Sequence, residues 1–162
     1  MNTVYCPACY AANGKEARIC SRCGAELDLI PERDYASGLI WALGHPEPTV
    51  APRAAWILGE RRDRSALRPL MELMVHARDL GAIEEAATAL GKLGDPSAIP
   101  ALAGVLQSSY LTDRIRAAEA LGKIGGAEAA TALQAALADR NASVREAAAR
   151  ALDFMTNRGD QP

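Results

Sequence analysis

The chain has 162 residues, and its 18 basic and 20 acidic side chains leave a formal net charge of −2. A balance this close to neutral excludes a field strong enough to gather nucleic acid or a membrane surface without specificity. Hydrophobic residues make up 49% of the chain but aromatic residues only 4%, and this alanine and leucine richness favours closely packed helices over strands. The sequence begins with no basic and apolar leader, and no apolar stretch approaches the ~20 residues of a membrane span, so we expect a cytoplasmic protein.

The first thirty residues contain every cysteine of the chain, as two Cys-x-x-Cys pairs separated by ten residues: Cys6, Cys9, Cys20 and Cys23. Two such pairs, each in a tight turn, supply the four thiolates that Zn²⁺ prefers in a closed tetrahedral site. We therefore predict one structural zinc ion in a small domain over residues 1–30. Pro7 and Gly24 suit the two turns, because proline fixes the backbone and glycine permits it to reverse.

The need for a metal also follows from energetics, because few large apolar side chains lie in this segment to offset the ordering of its backbone. A structural zinc ion supplies about 10–16 kcal/mol, which is enough to fold a segment of this size. The alternatives are a pair of disulfides or a redox-active Cys-x-x-Cys. The sequence offers neither an export signal nor a βαβ context for them.

The segment from Cys6 to Leu27 resembles the short bacterial zinc ribbons of the Cys-Pro-x-Cys-Gly…Cys-x-x-Cys-Gly type. It departs from that pattern at Tyr10, where glycine is usual, and at Ser21, where proline is common. Neither position is a metal ligand, so the resemblance implies the same four cysteines as ligands.

The rest of the chain is repetitive. The segment Arg53 to Gly59 (RAAWILG) recurs as EAATALG from Glu85, RAAEALG from Arg116 and AAARALD from Ala147, with starts 32, 31 and 31 residues apart. A fixed period of this size indicates stacked helical units with an extended surface. Each copy predicts an A helix, and Ser65 and Ser97 predict the N-caps of the B helices that follow two of them.

The register extends in both directions and predicts a lone B helix over 34–44, three A–B pairs and a final A helix near 142–156. We therefore expect an all-α solenoid of about eight helices over residues 34–156, followed by a flexible tail at 157–162. Charged residues lie at the entries to the A helices, namely Asp113, Arg114, Asp139 and Arg145. We expect them to form ion pairs between repeats, each contributing about 0–1 kcal/mol to stability.

The phrases ALGKLGDP from Ala89, ALGKIGG from Ala120 and VREAA from Val144 resemble the short HEAT-like repeats of bacterial scaffold proteins and phycobilin lyases. The resemblance spans roughly residues 34–155 and implies a HEAT-like α-solenoid. It implies little about activity, because repeat motifs encode stacking rather than chemistry.

Two further sets of residues resemble functional motifs. The glycines Gly91, Gly94, Gly122, Gly125 and Gly126 recur with the repeat and follow helices, so we interpret them as helix C-caps and not as a phosphate-binding loop. The histidines, His45 and His76, lie near turns without a nucleophile or carboxylate pattern, so we expect solvated turn residues.

The candidate partner-binding residues cluster at the N-terminal end of the array: Trp41, Trp56, Arg61, Arg62, Arg64, Arg68 and Met71. Aromatic side chains are common interface hot spots, although packing between helices is the ordinary role of a tryptophan. Arginines can grip phosphates, although a solvated turn is the ordinary interpretation of this cluster.

These observations predict a non-enzymatic adaptor or scaffold that binds another protein through the solenoid, the ribbon or both. The main alternative is a nucleic-acid or ribosome-associated binder that uses the ribbon and the cluster from Arg53 to Arg68. An enzyme like the phycobilin lyases and a self-assembling module are the remaining alternatives, the latter because the final A helix lacks a B partner and would leave Phe154 and neighbouring alanines exposed.

Overall fold

The computed structural model describes residues 3–6, 11–14, 16–27, 35–76 and 80–159. The chain divides into two compact units between Gly38 and Leu39, and each unit is described by itself. The predicted boundary between domains lay at residues 30–34, so the structural division falls a few residues later, inside the first helix.

The N-terminal unit contains a short antiparallel pair of strands, β1 (Thr3–Tyr5) and β2 (Ala12–Gly14). A second turn follows, in which Ile19 pairs with Glu26 and the Cys20 amide donates to the Ala25 carbonyl at 2.8 Å. Among the described residues of this unit, the buried apolar ones are Cys6, Cys20 and Leu27. Two thiol-bearing side chains thus form most of its described core.

The C-terminal unit is an all-α solenoid. The described helices are α1 (Tyr35–Ala42), which spans the division, and α2 (Val50–Glu60), α3 (Leu67–His76), α4 (Leu80–Leu93), α5 (Ile99–Val105), α6 (Leu111–Ile124), α7 (Ala127–Ala136) and α8 (Ala142–Gly159). The four repeated segments form the A helices α2, α4, α6 and α8, which stack on one another in chain order. The prediction of an all-α solenoid of about eight helices is confirmed.

The alanine pair of each repeat explains the close stacking. Seven of these eight alanines are between 0% and 3% exposed, and Ala149 in the last copy is exposed. Small side chains at the buried positions let neighbouring helices approach closely. The members are Ala54, Ala55, Ala86, Ala87, Ala117, Ala118, Ala148 and Ala149.

The recurring glycines have different roles. Gly94 and Gly125 end helices α4 and α6 with positive φ angles of 69° and 78°, as C-caps do. Gly91 and Gly122 lie inside these helices and Gly126 is the N-cap of α7, so the prediction that these three are C-caps is wrong. A Cβ atom at Gly91 would lie 2.9 Å from the Ala120 Cα atom, so glycine is needed there for the helix crossing.

The caps of the B helices also differ from the prediction. Asp63 and Asp95, not Ser65 and Ser97, are the N-caps of the 3₁₀ turns that lead into α3 and α5. The Asp95 carboxylate accepts from the Ser97 amide at 3.0 Å and from its hydroxyl at 2.8 Å. Both hydrogen bonds lower the pKa of Asp95, and the bond from the Ser97 hydroxyl has the larger effect. The serine is the donor because an aspartate two residues earlier supplies the stronger acceptor.

A buried ion pair joins the last two repeats. The Arg114 guanidinium, 4% exposed, donates to both carboxylate oxygens of Asp139 at 2.9 and 3.2 Å and to the Ser108 carbonyl at 2.9 Å. The Asn141 amide and Arg114 lower the pKa of Asp139. The expected pairing between repeats is thus present for Arg114, but Asp113 forms no ion pair with any described residue.

Helix α8 continues to Gly159, so residues 157–159 of the predicted flexible tail are helical. The extension has two contacts: Arg158 donates to the Lys123 carbonyl at 3.2 Å, and its guanidinium lies 5.5 Å from the centre of the Phe154 ring. Within the described part of the chain, no helix is both long and apolar enough to cross a membrane.

Candidate functional site

Three of the four cysteines meet in the N-terminal unit. The Sγ atoms of Cys6, Cys20 and Cys23 all lie within 4.8 Å of one another, and Cys6 and Cys23 are 3.5 Å apart. Cys6 and Cys20 are buried, whereas Cys23 is exposed. Cys9, the fourth predicted ligand, and Pro7 lie outside the described residues.

The arrangement fits a metal ion. Thiolates at about 2.3 Å from a tetrahedral Zn²⁺ lie about 3.8 Å from one another, which is close to the separations seen here. The 3.5 Å between Cys6 and Cys23 is far longer than the roughly 2.05 Å of a disulfide bond. The three cysteines could therefore hold a metal ion, and sulfur ligands in this geometry favour zinc or an iron–sulfur centre.

Asn13 organises the cysteine cluster, and sequence reasoning missed it. Its side chain is 7% exposed, and its Nδ2 atom lies 3.7 Å from the Cys20 Sγ atom and 2.7 Å from the Ala11 carbonyl. Its Oδ1 atom accepts from the Ser21 amide at 3.0 Å. Proline is common at the Ser21 position in similar ribbons but has no N–H group. Serine at this position supplies the backbone N–H group that donates to Asn13.

The turn of the second cysteine pair follows the prediction. The Arg22 amide lies 3.4 Å from the Cys20 Sγ atom, and the Gly24 amide donates to the Cys20 carbonyl at 3.0 Å. Gly24 has a φ of 74°, a conformation that favours glycine. Hydrogen bonds of this kind orient metal ligands and stabilise the thiolate form.

In the solenoid, a pocket of about 730 Å³ lies between α1, α2, α3 and the start of α4. Its walls are largely apolar and include Ile40, Leu43 and Leu73. Two exposed carboxylates, Glu47 and Glu72, lie at the same pocket. A pocket of this size and composition is typical of binding sites.

Both histidines line this pocket, although they are 31 residues apart in the sequence. His45 accepts from the Glu47 amide at 3.1 Å through Nδ1, and its ring meets the Trp41 ring edge to face at 6.4 Å. The prediction that they are solvated turn residues does not reveal this shared location. Adjacent repeats bring equivalent turns together, which a single-repeat pattern does not display.

The predicted partner-binding residues lie in different surroundings. Met71 packs against the core and Trp41 is half-buried beside His45. Trp56 is 48% exposed and lines a separate, more open depression of about 480 Å³ with Arg53 and Glu85. The expectation that packing buries the tryptophans therefore fails for Trp56, because its side of α2 faces solvent.

The predicted arginine cluster is exposed. Arg61, Arg62 and Arg64 lie in the turn after α2, where Arg62 has a positive φ of 51°, and Arg68 lies 3.8 Å from Glu72 on α3. Exposure allows nucleic-acid binding but does not distinguish it from a solvated turn, so this alternative stays a prediction. Phe154 is 47% exposed on α8, and self-association likewise stays a prediction.

Two family models match the repeat region. The model of HEAT repeats matches residues 36–113, and the model of the PBS lyase HEAT-like repeat matches residues 113–139. No curated protein sequence matches the chain. The matched residues include the A helices α2, α4 and α6 in full.

Solved structures give the same architecture. Human deoxyhypusine hydroxylase is 29% identical with a TM-score of 0.68, over 78% of this chain and 45% of that one. An engineered protein is 24% identical with a TM-score of 0.58, over 75% of this chain and 63% of that one. The CpcE–CpcF complex of phycocyanin lyase from Nostoc is 23% identical with a TM-score of 0.55, over 77% of this chain and 66% of that one. The chain thus spans less than half of the hydroxylase and about two thirds of the other two.

These similarities correct one expectation. The prediction that the chain is not an enzyme is wrong, because the structures that resemble it include an enzyme at 29% identity. Extended helical repeats therefore do not exclude catalysis. The matches to the repeat models, the stacked A helices and the similar solved structures agree on the family, and this chain is a HEAT-like repeat protein.

Proposed function

We propose that this chain is a HEAT-like scaffold that holds a segment of another protein in the pocket lined by His45, Glu47, Glu72 and His76. The observation that carries the proposal is the composition of this pocket, with apolar walls and two exposed carboxylates. Apolar walls suit an apolar anchor side chain, and the carboxylates suit a basic residue next to it.

Charge reversal tests this proposal on the intact protein. A Glu47→Lys/Glu72→Lys variant and a matched Glu128→Lys control, whose side chain is exposed on α7, are used as baits beside the wild type. Quantitative mass spectrometry should find proteins that the wild type and the control retain and the double variant loses. Identical sets of captured proteins from all three baits would refute the pocket as the binding site.

We further propose that Cys6, Cys9, Cys20 and Cys23 hold one structural Zn²⁺ ion. The clustering of three sulfur atoms and the N–H groups directed at Cys20 support this proposal. With four thiolates the ion has no open position, so its role would be to fold the N-terminal unit.

Metal analysis of freshly purified, reduced protein tests the zinc site. We expect one zinc ion per chain, and a strong loss of zinc in the separate Cys9→Ser and Cys20→Ser variants. A wild-type zinc content near zero would contradict the site, and an unchanged zinc affinity in Cys9→Ser would remove Cys9 from the ligand set.

A second candidate function is enzymatic, and the similarity to human deoxyhypusine hydroxylase favours it. The neighbour's name gives the reaction to test, hydroxylation of a deoxyhypusine residue. The chain matches only 45% of that protein, so the reaction would need a smaller catalytic apparatus here. Incubation with a deoxyhypusine-containing protein, followed by mass spectrometry, should reveal the gain of one oxygen atom; an unmodified substrate under conditions in which the human enzyme is active would count against this candidate.

A further inference from the structure

Asp113 occupies a position in the repeat that is otherwise apolar. It lies three residues before the repeated segment of α6, and the equivalent residues of the other A helices are Val50, Ala82 and Val144. Asp113 is nevertheless 1% exposed, as deeply buried as Ala82 (2%) and Val144 (0%). A carboxyl group in such a position costs folding free energy unless it has partners.

The partners of Asp113 satisfy only part of the carboxyl group. The Ser108 hydroxyl donates to Oδ2 at 2.8 Å, whereas Oδ1 is buried and has no hydrogen-bond partner among the described residues. The neighbouring guanidinium of Arg114 is directed at Asp139 and the Ser108 carbonyl. Burial raises the pKa of Asp113, and the nearby Glu84 carboxylate raises it further, although the Ser108 bond opposes the shift.

Asp113 and Ser108 also line a cavity of about 350 Å³ formed by α3, α4, α5 and the start of α6. The rest of its wall is apolar and includes Val75, Ile83 and Val105. The cavity therefore combines an aliphatic wall with one incompletely paired acidic group. Glu84 adds a second negative charge near this acidic group.

We propose that this cavity binds the primary ammonium group of an aliphatic chain, with Asp113 as its counter-ion. The ammonium N–H groups supply the donor that Oδ1 lacks, and the methylene groups of the chain lie along the apolar wall. Oδ1 is buried in this conformation, so binding requires the Asp113 side chain to adopt another rotamer that turns its carboxylate into the cavity. A lysine side chain and a free alkylamine share this chemistry.

Isothermal titration of the full-length protein near neutral pH tests the site with n-hexylammonium, and with 1-hexanol as the neutral control. The ammonium should bind at least about tenfold more tightly than the alcohol, because only it forms a charge-assisted hydrogen bond. Asp113→Asn should remove this preference, and Asp153→Asn, a change at an exposed position on α8, should keep it. Failure of the wild type to bind, or an unchanged preference in Asp113→Asn, would overturn the proposal.

A second variant keeps the test independent of Asp113 itself. Gly104 lines the cavity, and a Cβ atom there would meet nothing within 4 Å. Gly104→Leu should therefore fill the cavity without disturbing the fold, and it should abolish hexylammonium binding; retained binding would place the ligand elsewhere. Titration with Nα-acetyl-lysine methylamide and with 1,4-diaminobutane then distinguishes the sources, since tighter binding of the first indicates a protein lysine and of the second a free amine.

Discussion

Replacement of Gly91 by alanine tests the physical reason for the recurring glycine. The new Cβ atom would lie 2.9 Å from the Ala120 Cα atom and 3.0 Å from its Cβ atom. Carbon atoms prefer separations of about 3.5–4.0 Å, so helices α4 and α6 would have to move apart by about half an ångström or more. The nearest atom belongs to the backbone of a packed helix, so no side-chain rotation can relieve this contact.

The expected effect is a net loss of stability. Overpacking costs about 1–3 kcal/mol, and a contact against backbone belongs in the upper half of this range. Alanine returns about 1 kcal/mol of helix propensity relative to glycine. We therefore expect Gly91→Ala to lower the free energy of unfolding by about 1–2 kcal/mol, which corresponds to a fall in Tm of roughly 2–8 °C for a chain of this size.

Gly104→Ala is the matched control. Gly104 also lies in a helix, but its Cβ atom would meet nothing within 4 Å. This variant should be as stable as the wild type or more stable, by up to about 1 kcal/mol. Urea unfolding followed by circular dichroism measures both variants. Equal or increased stability of Gly91→Ala would refute the close-approach explanation of the repeated glycine.

Three further predictions concern the buried polar groups. Arg114→Ala should lower the free energy of unfolding by about 3 kcal/mol, because it leaves the largely buried Asp139 carboxylate without its partner. Arg116→Ala removes an exposed pair and should lower it by less than about 1 kcal/mol in the same urea assay. The stability of Asp113→Asn relative to the wild type should increase as the pH rises above about 3.9, the pKa of an unfolded aspartate. The raised pKa of Asp113 shows that the folded chain favours its protonated form. Ionisation at higher pH therefore lowers the free energy of unfolding of the wild type but not that of the variant. A stability difference that does not vary with pH would contradict this assignment. Asn13→Ala should weaken zinc binding about 10–100-fold in a chelator competition, and Ser21→Ala, which keeps the amide that Asn13 accepts from, should weaken it much less.

The repeat pattern predicts the solenoid well because stacking is a local and periodic property. The alanine pairs and their spacing indicate the A helices, and the pairs of the first three copies are buried. The pattern does not reveal why Gly91 is glycine, since the need arises from Ala120 in the next repeat. The copy that begins at Ala147 has the exposed Asp153 at the glycine position.

The cysteine pattern indicates a metal site in the same local way, because two short turns with two thiols each are visible in the sequence. Asn13 carries no such signal, since it reaches Cys20 and Ser21 only after the chain folds back. An asparagine between two Cys-x-x-Cys pairs is a general turn residue, so its residue type alone predicts nothing about thiolate hydrogen bonds.

By itself the sequence determined the all-α HEAT-like repeat and the approach of Cys6, Cys20 and Cys23 to one another, because both follow from short-range spacing. Only the tertiary structure decided that His45 and His76 line one pocket, that Trp56 faces solvent and that Asp113 is a buried carboxyl group beside an apolar cavity. These features depend on contacts between repeats about thirty residues apart, where burial and partners are set by helix packing and not by the local pattern.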